Sequence, residues 1–154
     1  MASIRKEVLI AVAPEQVWSA LRDVGALHTR LVTGFVTDCR LDGDARVVTF
    51  ANGMVARELI VDIDDAGRRV VWSAVGGRLS HHNASAQVFA DERGASRVVW
   101  IADLLPNELA PAIATKPWSI IVAMAGASSF GSRSAIQTTR LAPRSSAKTC
   151  AEAL

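Results

Sequence analysis

The chain reads as a series of short stretches in which apolar and polar residues alternate, each closed by turn-forming residues. Residues 4–13 form the first strand. It ends at Ala13-Pro14-Glu15-Gln16, where Pro14 suits the first position of a helix. Val17, Trp18 and Leu21 then recur with helical spacing, and Gly25 stops that helix. A short second helix is expected over residues 26–31, closed by Gly34. Strands follow over residues 35–41, 46–51, 54–62, 69–75, 81–90 and 97–104. They are separated by Asp42-Gly43-Asp44, Asn52-Gly53, Asp64-Asp65-Ala66-Gly67, Gly76-Gly77 and Asp91-Glu92-Arg93-Gly94. Asn52-Gly53 is the strongest hairpin signal, because both residues accept a positive φ. Seven strands with one helical insertion after the first predict an α+β fold built on a meandering antiparallel sheet.

The strand period of two assigns faces. Val98, Trp100, Ala102 and Leu104 share one; so do Val70, Trp72 and Ala74. Ala84, Ala86 and Val88 share another, with His82 in line. These are expected to point inward. After Pro106 the pattern turns helical, with Asn107 placed to cap the helix start. Leu109, Ile113, Ile120, Ile121 and Met124 would form its apolar face. Pro111 fits a first turn, whereas Pro117 falls mid-pattern and would cost ~3 kcal/mol there. A kink or break is therefore expected near residues 115–117. The organisation predicted is one domain over residues 1–130 and a polar, basic, flexible tail over 131–154.

Composition supports a folded domain, since half the residues are hydrophobic and 21% are charged. The net charge of +2 is too small to suggest nucleic acid. It is unevenly spread: residues 1–130 carry 13 Lys/Arg against 14 Asp/Glu, and residues 131–154 carry four against one. The tail's Arg133, Arg140, Arg144 and Lys148 read as a solvated segment. Cys39 and Cys150 lack metal or redox spacing and read as free thiols in a reducing cytoplasm. No signal peptide is expected. The longest apolar run, residues 118–127, is about half the ~20 residues a membrane span needs. A cytoplasmic monomer or homodimer without stable membrane insertion is the expectation.

Several segments, in order, match a known pattern: Ala13-Pro14-Glu15-Gln16-Val17-Trp18, Leu41-Asp42-Gly43, Asn52-Gly53 with Ala56-Arg57-Glu58-Leu59, Asp64 to Arg69 with Val70-Val71-Trp72, and Ser96-Arg97-Val98-Val99-Trp100. On these the chain resembles the START-like (SRPBCC) superfamily of polyketide cyclase/dehydrase and lipid-transport proteins, over about residues 4–110. The resemblance implies the helix-grip (Bet v 1-like) fold, a seven-stranded curved antiparallel sheet around a C-terminal helix. It also implies a cavity between sheet and helix for a lipid, sterol or polyketide-like molecule. Pro117 and the tail depart from the pattern. The fold hosts carriers, cyclases, hydrolase-like members and regulatory proteins, so function must come from the site.

Two candidates for polar chemistry stand out. Adjacent strand residues point to opposite faces, so His81 and His82 cannot both ligate one metal, and no metal or cofactor is expected. His82, in line with the small Ala84 and Ala86, would either orient a ligand's polar end or shuttle a proton, or else bond backbone or water at the sheet rim. Glu58 would either face the cavity, where burial favours its neutral form, or pair with a cation, with Arg46 the better inner partner. Trp72 and Trp100 are candidate cavity walls, and Trp18 and Trp118 candidate core. His28 with Leu27, Leu31 and Phe35 is a candidate gate. The expected ligand-binding set is His28, Leu31, Phe35, Glu58, Trp72, His82, Ala84, Trp100, Ala102 and Ile113. No G-x-S-x-G elbow or phosphate-cradling glycine loop is present. Three readings follow: a non-catalytic carrier or sensor of an apolar ligand, a cyclase/dehydratase-like enzyme with His82 and Glu58 as acid–base groups, or an interaction module without ligand.

Overall fold

Alternating side chains and glycine- or aspartate-bearing turns produce the expected meander. The computed structural model describes residues 1–115. In chain order it contains β1 (Ala2–Ile10), α1 (Pro14–Leu21), a π-helical turn (Leu27–Leu31), β2 (Val36–Asp42), β3 (Ala45–Phe50) and β4 (Val55–Asp64). β5 (Arg69–Val75), β6 (His81–Ala90), β7 (Ser96–Leu105), a 3-10 turn (Asn107–Leu109) and α2 (Ala110–Thr115) complete it. One antiparallel sheet runs β1-β7-β6-β5-β4-β3-β2. Consecutive strands from β2 to β7 are neighbours, and β1 lies beside β7.

The inward assignment agrees with burial. Val70, His82, Ala84, Ala86, Val88, Val98, Trp100, Ala102 and Leu104 are all buried. They join Ile4, Val8 and Ile10 of β1 in one core under α1 and α2. α1 contributes Val17, Trp18, Ala20 and Leu21, the stripe its sequence spacing predicts. A satellite cluster of Val36, Cys39 and Val48 sits beneath Phe35 and Phe50. At Asn52-Gly53, Gly53 takes φ 81° and Asn52 Oδ1 accepts from the Met54 amide at 3.1 Å.

Three local expectations need correction. The first strand ends at Ile10 rather than residue 13, because Pro14 sets the helix start and the approach to it leaves the ladder. The segment expected as a second helix is a π-helical turn. Asn107 opens a 3-10 turn whose N-cap is Pro106, and α2 begins only at Ala110, which leaves Pro111 in a first turn as expected. The helix face from Ile120 to Met124, the break at Pro117, Trp118, Cys150 and the 131–154 tail lie outside the described residues.

α1 is tied to the β4–β5 turn by Asp65. The buried Trp18 indole donates Nε1–H to Asp65 Oδ1 at 2.9 Å, and Arg22 reaches the other oxygen at 3.1 Å. Arg68 of the same turn meets Glu15 of α1 at 2.7 Å. Asp65→Ala leaves the indole N–H without its partner. The expected loss is about 1 kcal/mol in urea unfolding, small because the site is open to water.

Candidate functional site

Cross-strand partners in an antiparallel sheet point to the same side, so the register places the inner residues in rows. One row runs Arg46, Glu58, Ala74, then His82, Leu104 and Ala2. The next runs Ile60, Trp72, Ala84, Ala102 and Ile4. Both polar candidates thus share one row of the inner face, with only Ala74 between them.

Glu58 is paired. Arg46 Nε donates to Glu58 Oε2 at 2.7 Å, with side-chain exposures of 6% and 13%. A pair so shielded from water is strongly coupled, and neither ion is tolerable there alone. The Arg46 guanidinium also lies over the Trp72 ring, 5.3 Å from its centroid, and Nη1 reaches Val24 O at 3.5 Å. Arg46 therefore links β3, β4, β5 and the segment after α1. Of the two alternatives for Glu58, the ion pair with Arg46 is the one observed.

His82 is held differently. Its Nδ1 accepts the Ala74 backbone N–H at 3.0 Å, and its carbonyl accepts from Ser73 Oγ. A backbone amide only donates, so Nδ1 carries the lone pair and the neutral ring carries its proton on Nε2. Burial pushes the His82 pKa down; the Glu58 carboxylate opposes that shift and His81 adds to it. No described residue accepts from Nε2–H, which leaves it free to donate.

The other expected contacts divide between wall, core and satellite. Ala84, Trp100 and Ala102 are buried in the core, Trp72 is half-buried against it, and Ile113 packs on it from α2. Leu31 is core. Phe35 packs instead in the satellite cluster, where its ring meets Phe50 edge-on at 5.3 Å. The proposed gate residues are thus split between two clusters. His28, in the π-helical turn, has a buried Nδ1 with no hydrogen-bond partner among the described residues. No group of three or more His, Cys, Asp or Glu among the described residues is arranged to hold a metal.

Two inner-face residues were not among the expected ligand contacts. Cys39 is buried, with its thiol 3.5 Å from Val24 O. Burial is the main effect raising its pKa, offset in part by a backbone bond and Arg46. Lys6 sits opposite Trp100, in phase with the buried Ile4 and Val8. Its phase in the alternation was the available signal.

A cavity of about 370 Å³ opens where β5 and β6 part, lined by Ser73 to Gly76 and Leu79 to Asn83. That volume lies at the lower end of small-molecule pockets. His82 belongs to its lining.

Comparison with known proteins places this geometry. A sequence model described as "Polyketide cyclase / dehydrase and lipid transport" matches residues 1–129. No curated protein matches the sequence. Among solved structures, a protein from Thermobifida fusca is similar at 24% identity and a TM-score of 0.68, covering 81% of this chain and 91% of that one. XoxI from Bacillus cereus is similar at 21% identity and 0.68, covering 79% and 93%. Truncated norcoclaurine synthase from Thalictrum flavum is similar at 15% identity and 0.65, covering 80% and 89%. At these identities the likeness is one of fold. Among the described residues, no helix is long and apolar enough to cross a membrane.

Proposed function

Because this chain belongs to the polyketide cyclase / dehydrase and lipid transport family, we propose that it binds an apolar small molecule, lipid-, sterol- or polyketide-like, against the inner face of the sheet without transforming it. The observation that carries this reading is an inner face walled by Trp72, Ala84, Trp100 and Ala102 that offers, among the described residues, the His82 Nε2–H donor. Arg46 and Glu58 neutralise each other, which leaves His82 Nε2–H, together with Lys6 opposite Trp100, as the inner-face donors offered to a ligand. Small-molecule sites commonly combine apolar walls with a few placed polar groups. A ligand oxygen, carbonyl or hydroxyl, is the complement of such a donor.

Native mass spectrometry of freshly purified protein tests this directly. The expected result is retained apolar material, or uptake of added N-phenyl-1-naphthylamine with rising fluorescence. Protein that retains nothing and takes up no apolar probe would sink the reading.

The enzyme reading keeps one observation in its favour: Glu58 and His82 share a row of the inner face. With its proton on Nε2, the neutral His82 ring would polarise a substrate oxygen as a hydrogen-bond donor. Glu58 would serve as base only through Oε1, since Arg46 holds Oε2. If a retained ligand changes mass during incubation, and ceases to do so in His82→Phe, this second reading replaces the first.

A further inference from the structure

The sheet is divided in a place its strand lengths do not announce. β6 stays paired with β7 from His81 to Ala90, and β5 stays paired with β4 as far as Val75. Between β5 and β6, however, pairing covers only Arg69 to Trp72 against Ala84 to Gln87. The Val88 amide bonds Arg68 O at 2.9 Å, which sets the alternation of the ladder. Continued, it would make Ala74 and His82 a mutually hydrogen-bonded pair. Side chains take over instead. The Ala74 amide bonds the His82 ring, and the His82 carbonyl accepts from the Ser73 hydroxyl.

The cavity at this split is lined by residues of both faces. Ala74 and His82 belong to the inner row, while Val75, His81 and Asn83 are exposed on the other side. Leu79, on the connecting loop, packs against the core. Gly76 and Gly77 both take positive φ, 79° and 65°, at the corner. This slot takes its lining from both faces of the sheet, with the His82 imidazole standing where a backbone bond would close it.

We propose that this slot is the portal by which an apolar molecule reaches the inner face, and that the His82 ring is its movable stopper. The proposal rests on the reading that the inner face holds such a molecule. Opening it requires the His82 ring to leave the Ala74 amide and the Ser73 hydroxyl to leave the His82 carbonyl, with β4–β5 and β6–β7 left intact on either side.

A reversible cross-link tests it. Ser73 and Asn83 would face each other as a non-hydrogen-bonded pair if the ladder ran on, the closer of the two pair types. Ser73→Cys/Asn83→Cys, in a Cys150→Ser background, would clamp the slot when oxidised and free it when reduced. Binding of N-phenyl-1-naphthylamine is followed by stopped-flow fluorescence. Oxidation is expected to slow association and dissociation together by at least ~10-fold, as for a gated site, and to leave the equilibrium affinity within about 2-fold. Reductant restores the rates. His82→Ala, which removes the stopper, is expected to raise both. Equal rates in oxidised and reduced protein, or unchanged rates in His82→Ala, overturn the portal while the binding reading stands. If no form binds the probe, the binding reading fails, and hydrogen exchange judges the slot. The Ala74 amide should then exchange far faster than that of Val71, and slow on oxidation; exchange as slow as Val71 overturns the slot as a moving part.

Discussion

Arg46→Met is expected to cost about 3–5 kcal/mol in urea unfolding, the usual penalty for stranding one partner of a buried ion pair. The variant leaves the Glu58 carboxylate, 13% exposed, facing an apolar wall with its 2.7 Å partner gone. It also removes the cation over the Trp72 ring and the donor aimed at Val24 O. A small domain has only about 5–15 kcal/mol to lose, so the folded fraction at 37 °C should fall visibly. The sign of the double variant is the sharper check. Arg46→Met/Glu58→Leu removes both charges, and apolar replacement of a buried pair is often neutral or better. It should recover most of the loss. A single variant within about 1 kcal/mol of the parent, with no recovery in the double, would mean that the pair is effectively solvated.

The Arg46–Glu58 pair was partly legible in the sequence, and the reason is the strand period. Alternation placed Arg46 and Glu58 on one face of adjacent strands joined by the Asn52-Gly53 hairpin. Only the register decided between a desolvated acid and an ion pair, and the register sets Arg46 directly opposite Glu58. The inner sets around Trp72, Ala84 and Trp100 were legible on the same ground, because burial of one face constrains every second residue. Two features were not. The irregularity between Ile60 and Asp62 shifts the phase of β4 by one residue, and Val61 is left 60% exposed. A single extra residue leaves no trace in composition. The parting of β5 from β6 was equally silent. Residues 69–75 and 81–90 were correctly read as strands, yet a hydrophobic pattern specifies which face a residue takes, not how far two strands remain hydrogen-bonded. Of the two readings of His82, the bond to backbone is the one observed, with Nδ1 accepting from Ala74.

That bond makes the protein's stability sensitive to acid at one residue. A histidine in an unfolded chain titrates near 6.5, whereas burial holds folded His82 below its ordinary value. As the pH falls below about 6.5, the unfolded chain takes up a proton that the folded protein refuses. The stability this group contributes is complete above that point and is lost as the pH drops through the folded pKa. Within the window the slope approaches ~1.4 kcal/mol per pH unit, the value for one proton. The charged groups facing the ring among the described residues are Glu58 from β4, with Arg46 behind it, and His81 beside it; β7 presents Leu104, which is apolar. Protonation also puts a second donor against the Ala74 amide, so the bond at 3.0 Å cannot survive it. His82→Asn separates the two roles. Asparagine can place Oδ1 where Nδ1 stands, keeping an acceptor for Ala74 that does not titrate, and it leaves His28 and His81 untouched. Urea midpoints from pH 8 to pH 5 should therefore fall more steeply in the parent than in His82→Asn. His82→Leu, with no acceptor at all, should be about 1–3 kcal/mol less stable at neutral pH. Parallel pH profiles for parent and His82→Asn would show that the ring never exchanged its proton for a backbone bond, and that the Ala74 contact is incidental to folding.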